Sequence, residues 1–177
     1  MSASTTEHRA EAPAHLNFAL ITISTSRYFE SQLKKSPVQN LSSTIATKLI
    51  EESGHKIVYH DIILDNGDLI TKTLKKVVQI PEIDVIVTYG GTGITKSDIT
   101  IETITPLLEK DLPGFGELFR KLSYERINSA AIITRATAGL MKGKVIFCLP
   151  GSPQAVEMAL TSLILPEIGH IVKHARE

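Results

Sequence analysis

Short apolar runs separated by stretches of helical periodicity constrain this chain more than any other feature. "LNFALITIS" (16–24), "HKIVYHDIIL" (55–64) and "IDVIVTY" (83–89) are rich in β-branched residues and too short for core helices. Each reads as a strand. "SAAIITR" (129–135) and "KVIFCLP" (144–150) read the same way, with "ATAGLMKG" linking them. Between the runs, "LSSTIATKLIEESG" sets Leu41, Ile45, Leu49 and Ile50 on one helical face, and Gly54 ends it. Asp68 is placed to cap a helix through Ile70, Leu74, Val77 and Val78. Two more helical stretches follow near 100–110 and 114–125, the first broken by Pro106, and the last helix is bent near Pro166. Strands alternating with helices imply an α/β fold: a three-layer α/β/α sandwich with a central, mostly parallel sheet.

The expected organisation is a polar N-terminal tail over 1–15 followed by a single domain over 16–177. At 177 residues and 42% hydrophobic content, the chain is long enough to bury one sizeable core. Nineteen basic residues balance nineteen acidic ones, so nothing in the overall charge attracts nucleic acid or an anionic membrane. No apolar stretch approaches the roughly 18 residues of a spanning helix, and the tail lacks the apolar segment of a signal peptide. Cys148, the single cysteine, lies in an apolar run and reads as a small buried hydrophobe. Together these features lead to the expectation of a cytoplasmic protein without nucleic-acid or membrane partners.

In such sheets ligands bind beyond the carboxyl ends of the strands. That rule selects "STSRY", "DNG", "GGTGITKSD" and "PGSP", the segments that follow four of the runs. Gly90, Gly91 and Gly93 clear side chains from a strand exit, so that backbone N–H groups can approach an anion. Thr88 precedes them, Thr92 and Thr95 add hydroxyls, and the helix that follows adds the positive end of its dipole. The same glycines would also serve a tight turn with no ligand. The spacing is neither the dinucleotide fingerprint nor a Walker loop. Asp65 and Asp98 are candidate ligands for a Mg²⁺ that bridges to phosphate oxygens. A turn residue and a helix cap, respectively, are the ordinary alternatives.

"PGSP" supplies a second candidate cradle in Pro150, Gly151, Ser152 and Pro153, although Ser152 capping and Pro153 in the first turn explain it equally well. Ser24, Thr25, Ser26 and Arg27 offer donors after the first run. The histidines say little. His170 and His174 share a helix face but lack the internal Glu of a zinc-protease helix, so they read as surface charge with no metal. His55 and His60 lie at or in a strand with no evident partner.

Taken together, "TYGGTGITKSD", "DLPGFGELFRKLS", "ITRATAG" and "LPGSPQAV" resemble the MoaB/MogA family of molybdenum-cofactor biosynthesis proteins, over about residues 16–170 and closest to its archaeal-type MoaB branch. The resemblance implies a molybdopterin-binding fold that adenylylates molybdopterin with Mg-ATP and releases pyrophosphate, ahead of molybdenum or tungsten insertion. It implies catalytic, metal-holding roles for Asp65 and Asp98, and ligand contacts from Gly90, Gly91, Thr92, Gly93, Gly151 and Ser152. Gly114 to Glu117 would shape the cleft and a subunit contact in a homotrimer or homohexamer. Two departures stand out. Ser97 occupies a position where many relatives carry arginine, leaving Lys96 as the expected substitute charge. "KKSPVQNLSS" also lacks the Asp–x–Ser/Thr–Gly-like segment of many relatives. A non-catalytic pterin-binding scaffold and a CinA-like nucleotide pyrophosphatase are the alternative functions.

Overall fold

A six-stranded sheet in the order β2-β1-β3-β6-β5-β4 organises the chain. The structure, a computed structural model, describes residues 13–33 and 40–177. Most of the expected tail, and the start of "KKSPVQNLSS", therefore lie outside the described residues. Strands β1 (Asn17–Ile23), β3 (Val85–Tyr89) and β6 (Lys144–Leu149) are buried almost throughout and pair in parallel. β2 (Lys56–Ile63) pairs in parallel with β1 at one edge, and its exposure alternates along the strand. An edge strand with one solvated face produces that pattern.

Alternate residues of the central strands feed two cores, as the period of two requires. Phe18, Leu20, Val85, Val87, Phe147 and Leu149 face one side. There they meet Ala46 and Ile50 of α2 (Leu41–Glu52), Phe119 of α5 (Pro113–Ile127) and Val156 of α6 (Pro153–Ala159). Ala19, Ile21, Ile86, Ile146 and Cys148 face the other side, against Ile70, Leu74 and Val77 of α3 (Gly67–Val77) and Ile104 of α4 (Thr100–Ile104). Helices thus cover both faces. Each large apolar side chain buried this way contributes about 1.5–3 kcal/mol. Cys148 lies in the second core, where burial pushes its thiol up to about 12.

Several local expectations need correction. "SAAIITR" is not a strand: residues 128–133 form a 3₁₀ turn, and Ile132 is 88% exposed. Its composition mimics a buried strand, but of its apolar residues Ala131 is buried and both isoleucines are exposed. The strand lies instead in the expected linker, as β5 (Thr137–Met141), antiparallel to β6. Lys142 and Gly143 join the two with φ of +53° and +71°. Two residues in that left-handed region make the tight hairpin turn that matches strand twist. A two-residue β4 (Lys110–Asp111) pairs antiparallel with β5.

After β1 the chain enters helix α1 (Thr25–Leu33), an element that the apolar pattern does not signal. Asn66, not Asp68, caps α3, accepting from the Leu69 N–H at 3.0 Å. On α2 the buried face consists of Ser42, Ser43, Ala46 and Ile50, and Leu41 is exposed. The closing helical stretch bends by 66° before α7 (Ile168–Arg176). Among the described residues no single helix is long and apolar enough to cross a membrane.

Candidate active site

The strand order places a natural crevice at the ends of β1 and β3. Connections from β1 and from β3 leave toward opposite sides of the sheet, so their outgoing loops part there. A cavity of about 540 Å³ occupies this position. Thr22, Ser24, Arg27, Asp65, Gly90–Gly93, Asp98, Pro150 and Gly151 are among its walls, which brings the four expected segments together.

The glycine turn is fixed by contact on every side. Gly90 has φ +109°, and a Cβ there would overlap the Ile23 carbonyl oxygen. Only glycine lets β3 exit this close to the end of β1. The Gly90 N–H donates to Leu149 O at 3.0 Å, while buried Thr100 donates from its hydroxyl to Gly90 O at 2.9 Å and from its N–H to Gly91 O at 2.9 Å. The loop is preformed.

Each candidate carboxylate is oriented by its neighbours. Asp65 Oδ2 accepts from the Thr25 N–H at 2.6 Å and from the Thr25 hydroxyl at 2.9 Å. A carboxylate at the start of α1 satisfies an otherwise unpaired amide and complements the helix dipole. Both bonds fall on Oδ2, and Oδ1 lies toward Gly91. Asp98 Oδ2 accepts from the Thr95 hydroxyl at 2.6 Å and from the Thr95 N–H at 2.9 Å. Those bonds, led by the hydroxyl, hold the Asp98 carboxyl below the usual range against the opposing effect of burial, with help from the Gly93 N–H and the Arg135 charge. Asp98 does not cap α4, which has no side-chain cap.

Positive charge comes from places the sequence does not advertise. α4 is only five residues long, so its dipole adds little of the field expected of it. Arg27 and Arg135 both line the cavity, and Lys96 does not. Arg135 donates to Glu102 Oε1. Burial raises the Glu102 pKa, but its own backbone N–H and the Arg135 guanidinium outweigh that, so the carboxyl stays ionised below its ordinary range. Ser97 lines the cavity beside Asp98, and Arg135 supplies the cation that Ser97 does not.

The remaining expected residues divide clearly. Thr25 acts through Asp65, and the Ser26 hydroxyl pairs with that of Ser24 at 3.2 Å. Thr88 is buried, its hydroxyl donating to Phe147 O at 3.4 Å. Ser152 caps α6, accepting from the Ala155 N–H at 3.3 Å, and Pro153 begins that helix. Thr25, Ser26, Thr88, Lys96, Ser152 and Pro153 are not in the cavity wall. Pro150 and Gly151 are, and the Ser42 hydroxyl holds Gly151 O at 2.7 Å.

Wall residues that the sequence reading did not single out include Asn40, Tyr89 and Arg135. Asn40 donates to the Thr22 hydroxyl at 2.8 Å and caps α2. A cap residue before an apolar-periodic helix was the available signal for it. The Tyr89 hydroxyl is buried and completes no hydrogen bond of ordinary geometry within the protein, although Thr22, Ser43 and Arg27 are its polar neighbours. A buried polar atom of this kind at a cavity wall fits a ligand or water contact.

Among the described residues no group of three or more His, Cys, Asp or Glu is arranged to hold a metal. That donor set still fits Mg²⁺, which takes one or two carboxylates and leaves its other positions to water and phosphate.

Known proteins resemble this chain over nearly its whole length. The family described as "Probable molybdopterin binding domain" matches residues 19–170. The chain is 41% identical to molybdenum cofactor biosynthesis protein B of Bacillus cereus over 169 residues, covering 95% of each chain. It is 41% identical to the molybdopterin adenylyltransferase of Pyrococcus furiosus over 175 residues, covering 97% of this chain and 98% of the relative. The crystal structure of the tungsten cofactor synthesizing protein MoaB from Pyrococcus furiosus superposes with a TM-score of 0.80 at 39% identity, covering 94% of this chain and all of that one. A family match across most of the chain, with the glycine turn and both carboxylates inside the matched span, leads to one assignment: this chain belongs to the molybdopterin-binding family of molybdenum cofactor biosynthesis proteins.

Proposed function

We propose that this protein adenylylates molybdopterin with Mg-ATP in molybdenum or tungsten cofactor biosynthesis. The observation that carries the reading is one cavity walled by a glycine turn, two oriented carboxylates and two arginines. The activity named for a relative of nearly equal length supports it.

In this reading a phosphate oxygen of molybdopterin attacks the α-phosphorus of ATP, the bond to the β-phosphate breaks, and pyrophosphate leaves. The N–H groups of Gly91, Thr92 and Gly151 cradle the phosphates, with Gly90 and Gly93 keeping side chains out of their way. Arg27 and Arg135 offset charge on the equatorial oxygens. Asp65 and Asp98 would hold Mg²⁺, which supplies neutralisation of phosphate charge when bound. Thr25 and Thr95 keep those carboxylates aimed. Little covalent chemistry is asked of the protein, in keeping with a cavity wall whose described residues include no histidine or cysteine. We further infer a cytoplasmic homo-oligomer, a trimer or hexamer. Exposed Leu118, Tyr124, Ile127 and Ile132 on α5 and the turn after it support a subunit contact there.

Pyrophosphate release from ATP, with and without molybdopterin, tests the proposal. Release that requires molybdopterin and falls at least about 100-fold in both Asp65→Ala and Asp98→Ala supports it. Equally slow release by all three proteins identifies a pterin-binding scaffold instead. ATP cleavage without any pterin identifies a nucleotide pyrophosphatase.

A further inference from the structure

Sequence alone gives His170 and His174 the character of surface charge, but the structure brings their rings together on the last helix. Their Nε2 atoms lie 3.0 Å apart. His170 Nδ1 is 3.3 Å from Glu167 Oε2, just before α7, and His174 Nδ1 is 2.9 Å from Glu177 Oε2, just after it. We propose that His170 and His174 form a binding site for a borderline divalent transition-metal ion of the Zn²⁺ class, with water in the remaining positions.

The argument begins from proton count. A carboxylate oxygen only accepts, so each Nδ1 must carry the N–H that meets its glutamate. A neutral imidazole with its proton on Nδ1 presents a lone pair at Nε2. Two such lone pairs at 3.0 Å repel unless a cation, either a proton or a metal ion, is shared between them. The site therefore selects a cation, and two convergent imidazole nitrogens select a borderline metal over Mg²⁺ or Ca²⁺.

The spacing fits that ion. With Zn–N bonds of about 2.0–2.1 Å, two nitrogens on one metal stand roughly 2.9 Å apart at a right angle and about 3.3 Å apart at the tetrahedral angle. The observed separation lies between these limits. The glutamates occupy the outer positions that orient metal-bound histidines and raise their basicity. The side chains of His170 and His174 are 26% and 44% accessible, so the ion can enter from solvent. With two histidine ligands among the described residues the site is a surface clamp. It would brace one turn of α7, the helix that seats Ile168 and Val172 in the core.

The test is calorimetric titration of untagged, full-length protein with ZnCl₂ at neutral pH. Wild type binds Zn²⁺, His170→Asn and His174→Asn each lose that binding, and Glu177→Gln weakens it about tenfold. Copper(II) electron paramagnetic resonance then shows two nitrogen donors in wild type and fewer in either histidine variant. Circular dichroism of both variants checks that α7 still forms. Zn²⁺ binding unchanged in His170→Asn and His174→Asn, or no Zn²⁺ binding by wild type, overturns the proposal and leaves a proton as the shared cation. Because α7 lies outside the cavity wall, pyrophosphate release by the same variants reports separately on the proposed adenylylation.

Discussion

Gly91 packs directly against Asp65: a Cβ on Gly91 would stand 2.8 Å from Asp65 Oδ1 and would overlap the Thr100 hydroxyl. With φ +61°, the glycine accepts a left-handed conformation as well as the contact. Gly91→Ala should therefore cost about 1–2 kcal/mol of stability and displace the Asp65 carboxylate. The expected loss of pyrophosphate release is about 100-fold, because small misplacements of positioned groups are costly. Urea unfolding and single-turnover kinetics separate the two effects. A variant destabilised as expected but fully active would remove Asp65 from the reaction.

Arg135 joins Glu102 and Asp98 electrostatically at the cavity wall. Arg135→Gln should raise KM for ATP about tenfold or more, since a charge-assisted hydrogen bond contributes about 1.5–3 kcal/mol. Lys96→Gln should leave KM nearly unchanged. Steady-state kinetics on the pair decides between them, and a larger effect at Lys96 would reverse the assignment of the cation.

Ser152 and Ser42 touch the same turn for different purposes. Ser152→Ala should cost about 1 kcal/mol through loss of the α6 cap, with ATP affinity unchanged. Ser42→Ala should release the Gly151 carbonyl it holds and weaken ATP binding as well as the fold. Thermal unfolding with and without ATP distinguishes a cap from a ligand support.

Stability should fall as pH drops through the range of histidine protonation. Burial, assisted by His15, lowers the pKa of His55, which accepts from the Leu16 N–H at 3.3 Å and so is held neutral. Burial also lowers that of His60, against a smaller opposing effect of Asp61. Its Nε2 shares a 2.5 Å hydrogen bond with the Ser43 hydroxyl. Both groups bind protons more weakly folded than unfolded. Their contribution is complete above the ordinary value of 6.5 and is lost as pH falls below it toward the folded values. Asp98 follows a lower window: its contribution is present above 3.8 and is lost as pH falls through its depressed folded value. Urea midpoints at about pH 7.5 and 5.5 measure the histidine effect, and His60→Gln should flatten the difference. A flat wild-type profile would contradict it.

Much of this architecture is legible because burial writes directly into composition. β1, β3 and β6 are covered on both faces, so they appear as continuous apolar runs, and the loops at their ends follow from strand direction. The glycine turn could be singled out by its short-range chemistry, and Asp65 by its place at the end of the neighbouring strand. "SAAIITR" misled for the converse reason, since its isoleucines are exposed and an exposed apolar residue has the same letter as a buried one. The "ATAGLM" strand was hidden because Gly139 and Ala138 carry little strand propensity, and pairing with β6 overrides it.

The sequence by itself determined the alternating α/β plan, the anion-accepting turn and the presence of Asp98 within it, all properties of neighbours along the chain. Tertiary structure alone decided that Arg135 rather than Lys96 faces Asp98, that Thr100 locks the turn, and that Asp65 is held by Thr25. Those pairings join residues far apart in number or on opposite sides of a turn. Electrostatic and hydrogen-bond energies depend on distance in space, and only the folded sheet sets that distance.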